Sequence, residues 1–219
     1  MLRMFQRHPS EALHPSAMDG RRHIIISGTG RAGTTLLVQI LTHLGHDTGF
    51  SKEECLRDVD PASHAGLEYN LVGKRKKPLP YIVKAPGLSD QIDEAIAQGV
   101  QIDLAIIPVR DLESSVRSRI RVSALAAKLG KDPFKAAGGL WKTDNPQGQE
   151  IILLRQQFIL LQSLIAHDIP ILFLAFPRFA KDLDYFYRKM APVVGHKNSY
   201  EEFIATCRAI IDLKKISQW

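Results

Sequence analysis

The chain has 219 residues, 45% of them apolar and 24% charged, which suits one ordinary globular domain with a full core. No apolar run approaches the roughly 18 residues of a membrane span, and Cys55 and Cys207 form no CxxC or Cys/His cluster, which argues against a structural zinc. The formal net charge of +6 suits an anionic ligand but leaves nucleic acid, a membrane surface and a multiply phosphorylated cofactor open.

Residues 1–22 are polar, broken by proline and without period, so they read as a loosely ordered extension. They hold no apolar core of signal-peptide length. With two widely spaced thiols read as reduced, a cytoplasmic location is expected.

From His23 the pattern becomes α/β. Ile24 to Ile26 is an unbroken apolar run, as in a parallel strand buried on both faces. Leu36, Leu37, Ile40, Leu41 and Leu44 then recur at helical spacing, and Gly45 can end that helix. "YIVKA" (81–85) reads as a second strand. "LSDQIDEAIAQG" (88–99) reads as a helix capped by Ser89 and stopped by Gly99. "DLAIIPV" (103–109) is a third strand, followed by a basic helix from about Leu112 in which Leu112, Val116 and Ile120 would form the buried face. A Gly/Pro/Lys-rich interval at 126–148 is long enough for a lid or substrate loop, and Trp141 within it suits stacking or anchoring. A buried helix (149–166), a strand "PILFLAF" (170–176), a helix from about Lys181 and a last helix opening with a Ser199/Glu202 capping box complete the pattern. The expected fold is a three-layer, doubly wound parallel sheet of P-loop nucleotide-binding type, spanning residues 23–219 as a single domain, with ligands at the carboxyl ends of the strands.

"SGTGRAGTT" joins the first strand to the first helix. Gly28, Gly30 and Gly33 allow positive φ and close approach to an anion. Around Thr29, Gly30, Arg31, Ala32, Gly33, Thr34 and Thr35 the amides can form an anion nest, reinforced by the helix N-terminus, two hydroxyls and the Arg31 cation. Against a G-x-x-x-x-G-K-[ST] loop, Gly28, Gly33 and Thr35 match, but Thr34 replaces the lysine that would hold β,γ-phosphates. At the end of the third strand Arg110 stands eight positions before Ser118. Ser114, Arg117, Ser118 and Arg121 share a polar helix face, so Ser118 and Arg110 can share an anion.

Together "GTGRAGTTLL" and the Arg110/Ser118 pair resemble the 5′-phosphosulfate loop and the 3′-phosphate site of sulfotransferases, closer to bacterial and Golgi-type members than to cytosolic ones. The resemblance spans about 24–195 and includes "YIVKAPGLSD" and "ILFLAFPRFAKDLDYFYRKMAPVVG", where Pro177 and Arg178 replace the family's usual acidic pair. It implies a 3′-phosphoadenosine 5′-phosphosulfate donor, adenosine 3′,5′-bisphosphate as product and no required metal. It also implies in-line transfer to a hydroxyl or amine of a small-molecule, glycan or lipid acceptor, without a nucleic-acid partner. Arg31 and Lys84 would stabilise the transferring group. The histidine that cytosolic members place two residues after that lysine is replaced by Pro86, so Glu53 is the expected general base, with Glu54, Glu68, His46 and His64 behind it. The basic run "KRKK" (74–77) reads as a solvated loop or a contact for an acidic acceptor. Two rival readings stand beside this one. The first is a small-molecule P-loop kinase using Asp111 as its metal-holding acid, and the second is a non-catalytic nucleotide-binding protein.

Overall fold

Successive side chains of a strand point to opposite faces, so three adjacent isoleucines are best accommodated where both faces are covered. The computed structural model describes residues 22–73 and 78–216, and in it β1 (Arg22–Ile26) meets this condition. Ile24 and Ile26 enter one core and Ile25 the other. Arg22 already belongs to the strand, one residue earlier than expected. The remainder of the extension (1–21) and the basic run at 74–77 lie outside the described residues.

β1 pairs in parallel with β2 (Ile82–Lys84) on one side and β3 (Gln101–Arg110) on the other, and β3 pairs in parallel with β4 (Ile171–Phe176). The order is β2-β1-β3-β4. The chain therefore steps outward from β1 to β2, crosses back past β1 to β3 and continues to β4. The winding direction reverses beside β1, which leaves a crevice between the carboxyl ends of β1 and β3, where open α/β sheets bind ligands. Helices flank the sheet, and the arrangement is compatible with a doubly wound α/β fold.

Alongside α1 (Thr34–His43), α2 (Lys52–Arg57) contributes Cys55 to the first core, which α7 (Leu183–Val194) and α8 (Tyr200–Ile210) complete. The opposite core packs Ile25, Val83, Ala105 and Ile107 against α3 (Ile92–Ala97) and α5 (Gln149–Ala166). α4 (Leu112–Lys128) and the one-turn α6 (Arg178–Lys181) follow the carboxyl ends of β3 and β4. A column of aromatic rings runs through the first core. Phe176 and Phe179 lie 5.5 Å apart between centroids, Phe179 and Phe186 4.9 Å, and Phe186 and Phe203 4.9 Å, separations at which edge and tilted ring contacts are favourable.

Several elements form as read from the sequence: Gly45, with φ 79°, follows the end of α1, and Ser199 and Glu202 make their capping box on α8. Others differ for identifiable reasons. The helix expected at 88–99 is a 3₁₀ turn at Leu88–Asp90 followed by α3. Ser89 is not its cap, because it is buried and donates its hydroxyl to the Gln156 side chain on α5. The helix expected from Lys181 splits into α6 and α7, since Asp182 accepts from the Tyr185 amide and starts a new N-terminus. α5 has the expected bounds but is not buried all round. Leu153, Gln156, Leu160 and Leu164 face inward, while Ile151, Leu154, Phe158 and Ile165 are exposed. A helix lying on one sheet face buries only the stripe turned toward it, whatever the composition of its outer side. No described helix is long and apolar enough to cross a membrane.

The aromatic column is expected to carry much of the stability. Phe186 is 1% exposed, and Phe186→Ala should destabilise the protein by about 3–5 kcal/mol in urea unfolding. A loss below about 1 kcal/mol would show that the column closes without strain.

Candidate functional site

The loop after β1 is anchored on both sides. The Ser27 amide donates to Ile106 O (3.1 Å) and its hydroxyl to Ala85 O (2.8 Å). From there the backbone turns through positive φ at Gly28 (128°), Gly30 (72°), Arg31 (59°) and Gly33 (80°). Gly33 is required twice over: its φ is left-handed, and a Cβ there would meet Phe179 and Phe176 ring carbons at 2.8 and 2.9 Å. α1 then begins at Thr34 with no side-chain cap. Among the described residues, no protein group accepts from the amides of Thr34, Thr35 or Leu36. Open donors at the positive end of a helix are an anion-binding arrangement.

A cavity of about 550 Å³ opens onto this loop. Gly30, Arg31, Gly33, Thr34 and Thr35 line it, together with Lys84 from β2 and Arg110 from β3. Gly28, Thr29 and Ala32 shape the turn behind the lining. Three adjacent strand ends thus contribute to one wall.

The cations are arranged differently from the sequence expectation. Arg31 does not simply lie over the loop. Its Nε donates to Ser118 Oγ (3.1 Å) and its Nη1 to Ser63 O (2.5 Å). Arg110 donates from Nη1 to Arg31 O (3.2 Å) and sits 5.4 Å from the centre of the Phe176 ring. Ser118 is buried, outside the cavity lining, and its hydroxyl is held by Arg31 rather than shared directly with Arg110. The reason is the rotation of α4. Its inward face carries Ser115, Ser118, Arg119, Val122, Ser123 and Ala126, whereas Leu112, Val116 and Ile120, expected to be buried, are only half so. Small side chains let α4 approach closely while one long cation reaches through.

That cation is Arg119, which sequence reading passed over. It is 6% exposed and lines the cavity. Its Nη1 donates to Gly139 O (2.6 Å), its Nη2 to Thr29 O, and its guanidinium lies 5.4 Å from the Trp141 ring centre. Its Nε, fully buried, has no hydrogen-bond partner among the described residues. Burial pushes the pKa of Arg119 down to about 10, with repulsion from Arg31 adding to it. Arg31 is likewise pushed to about 10 by burial and then by Arg110. The available signal was the i, i+4, i+7, i+11 stripe of Ser115, Arg119, Val122 and Ala126, small or apolar apart from one arginine.

Lys84 is 2% exposed. Its Nζ donates to Thr35 Oγ1 (2.7 Å), Gly66 O (2.6 Å) and Glu68 Oε1 (2.6 Å). An ammonium thus reaches the phosphate loop from the neighbouring strand, although position 34 carries none. Burial lowers its pKa, and Glu68 opposes that shift. Glu68 arrives on a contorted loop in which His64, Gly66 and Leu67 all have positive φ. A Cβ at Gly66 would meet Asp58 O at 2.6 Å.

Among the carboxylates and histidines expected as bases, only Glu68 and His64 line the cavity. Glu53 is exposed on α2, outside the lining. Glu54 accepts from the Ser51 amide (2.8 Å) in a capping box, a role already written in the S-x-x-E spacing of Ser51 and Glu54. His46 bonds Asn198 (3.0 Å) away from the cavity. Asp111 accepts from the Ser114 amide (2.8 Å) as the N-cap of α4.

The interval expected as a lid begins inside α4, and its loop is tied down. Ser123 Oγ donates to Pro133 O (2.8 Å) and accepts from the Leu140 amide (2.9 Å). The Trp141 amide donates to Gln149 Oε1 (2.6 Å), and Lys142 pairs with Asp90. Gly138 and Trp141 line the cavity.

Arg119 joins this segment to the phosphate loop, so Arg119→Lys, which lacks the fork, should cost about 1.5–3 kcal/mol for each charge-assisted bond lost. Amide exchange at residues 136–141 should quicken in step. Unchanged exchange there would show that the segment does not depend on Arg119.

No family model matches this chain, and no curated protein matches it, so the site stands on its own geometry.

Proposed function

We propose that the protein is a sulfotransferase, with a P-loop nucleotide-binding type of sheet, that moves a sulfuryl group from 3′-phosphoadenosine 5′-phosphosulfate to an acceptor hydroxyl. The observation that carries this reading is a second cationic point one strand away from the phosphate loop. Arg110 ends β3 and lines the same cavity as Thr34 and Thr35. A ligand with one phosphate cluster needs one such point, whereas a donor with a 3′-phosphate and a 5′-phosphosulfate needs two. The sequence resemblance of "GTGRAGTTLL" and the Arg110/Ser118 spacing supports the same donor.

In this reading the 5′-phosphosulfate takes the open amides of α1 and the Thr34 and Thr35 hydroxyls. The 3′-phosphate meets Arg110, and Ser118 joins it once Arg31 turns from Ser118 toward the donor. The acceptor oxygen attacks sulfur in line. The bond from sulfur to the bridging phosphate oxygen breaks, and its electron pair stays on that oxygen, where Lys84 and the loop donors stabilise the charge. The hydroxyl proton passes to a carboxylate. Glu68 replaces Glu53 in that role, because Glu68 lines the cavity next to Lys84 and Glu53 does not.

Adenosine 3′,5′-bisphosphate should raise the melting temperature in the presence of a chelator, while ATP with magnesium does little. Arg110→Ala should weaken the bisphosphate by roughly tenfold or more. The opposite ligand preference would favour the kinase reading. With a labelled sulfate donor, Glu68→Gln should abolish turnover and Glu53→Gln should leave it intact. Loss in Glu53→Gln alone would return the base to α2.

A further inference from the structure

The cavity has two chemically different halves. The half at the strand ends holds Arg31, Lys84, Arg110 and Arg119. The other half is walled by aliphatic side chains from three separate regions: Leu36 on α1, Leu56 and Val59 on and after α2, and Ile210 and Ile216 at the described C-terminal end. Leu56 is 50% exposed, on the cavity side rather than in a core. Three polar side chains line the cavity beside this wall: Gln39, which donates to Cys55 O (3.0 Å), Asp212, which accepts from the Lys214 amide (3.0 Å), and the exposed Lys215. The cavity's large aromatic rings, Trp141 and Phe176, lie against Arg119 and Arg110 in the other half.

We infer that this aliphatic half binds the acceptor, and that the acceptor is a compact apolar alcohol whose hydroxyl points to the seam formed by Glu68 and His64. The inference rests on the sulfuryl-transfer reading. An aliphatic wall gains by covering hydrocarbon. Beside it only Gln39, Asp212 and Lys215 offer polar atoms to a ring of hydroxyls, with Gln39 and Asp212 each already using one hydrogen bond. A sugar would lose hydration against the five aliphatic side chains, with few partners to replace it. At the seam the chemistry changes within a few residues: Glu68 touches Lys84, and Lys84 touches Thr35 at the start of α1. A hydroxyl held there lies between the anion loop and a proton acceptor. His64 stands beside it with its imidazole held toward the neutral form by partial burial and by the Lys215 and Arg31 charges. A neutral imidazole can accept a hydrogen bond from an alcohol.

A second cavity, of about 380 Å³, also reaches Glu68. Tyr69, Asn70 and Gln91 line it, one ring and two carboxamides, and that lining is the chemistry a sugar would use. The two approaches give opposite predictions.

The test is calorimetric titration of protein saturated with adenosine 3′,5′-bisphosphate, using cyclohexylmethanol and cellobiose as probes. Cyclohexylmethanol should bind, and Leu56→Asp and Ile210→Asp should each weaken it by roughly tenfold or more, because a carboxylate cannot sit unpaired against hydrocarbon. Both variants should keep their affinity for the bisphosphate, which shows that they are folded. Cyclohexylmethanol binding that ignores both substitutions would overturn the inference, as would cellobiose binding that disappears in Tyr69→Ala. If the bisphosphate itself fails to bind, the donor reading is at fault, and titration of the free protein with cyclohexylmethanol still reports on the aliphatic half.

Discussion

Repulsion among cations at the ends of three adjacent strands organises this molecule. Burial lowers the affinity of Arg31, Arg110 and Arg119 for protons, and repulsion adds to it at Arg31, from Arg110, and at Arg119, from Arg31. Lys84 adds a buried ammonium a short step away. Like charges in a partly desolvated site repel strongly, and burial of an unpaired charge is costly. The chain answers mainly with carbonyl oxygens. Thr29, Arg31, Ser63, Gly66 and Gly139 all turn their C=O groups to these side chains. Glu68 supplies a carboxylate contact to Lys84. Carbonyl dipoles hold the cations in position without cancelling their charge, so the field at the loop remains positive.

The sheet order makes this concentration possible. The loop leaves β1, Lys84 ends β2 and Arg110 ends β3, and these three strands are neighbours. α4 then returns alongside the β3 end and inserts Arg119 from above. The segment after α4 is tied into the same cluster through Gly139, so cation placement and loop placement are one problem. The aliphatic half draws on Leu36, Leu56, Val59, Ile210 and Ile216, with Asp212 and Lys215 beside the last two. One cavity therefore combines a cluster of cations at the strand ends with a lining richer in aliphatic side chains elsewhere.

Much of this was legible in the sequence. Ile24 to Ile26, the glycines of "SGTGRAGTT" and the position of Arg110 gave the first strand, the loop and the end of β3, because strand burial and positive φ leave strong compositional marks. The cation pattern was less legible. Ser118 and Arg119 are adjacent, and the stripe of Leu112, Val116 and Ile120 suggested the wrong rotation of α4. Helical periodicity gives the spacing of a face, and small residues decide which face can approach most closely. Glu53 was chosen from its distance along the chain, whereas Glu68 reaches the cavity through a loop with three positive φ values. Two of those belong to His64 and Leu67, where composition gives no warning. The aliphatic half was invisible for a different reason. It is assembled from positions 36, 56, 59, 210 and 216, which no local window contains.

Gly33 carries a longer reach than its place in the loop suggests. The space where its Cβ would stand is filled by Phe176 and Phe179, and those rings begin the column that passes through Phe186 to Phe203 on α8. α8 in turn ends at Ile210, on the aliphatic wall. A change at position 33 therefore cannot be absorbed locally. Among descendants of this sequence, position 33 and the ring positions 176 and 179 should drift only as a set, and inheritance of the anion loop should be bound to inheritance of the hydrophobic column behind it.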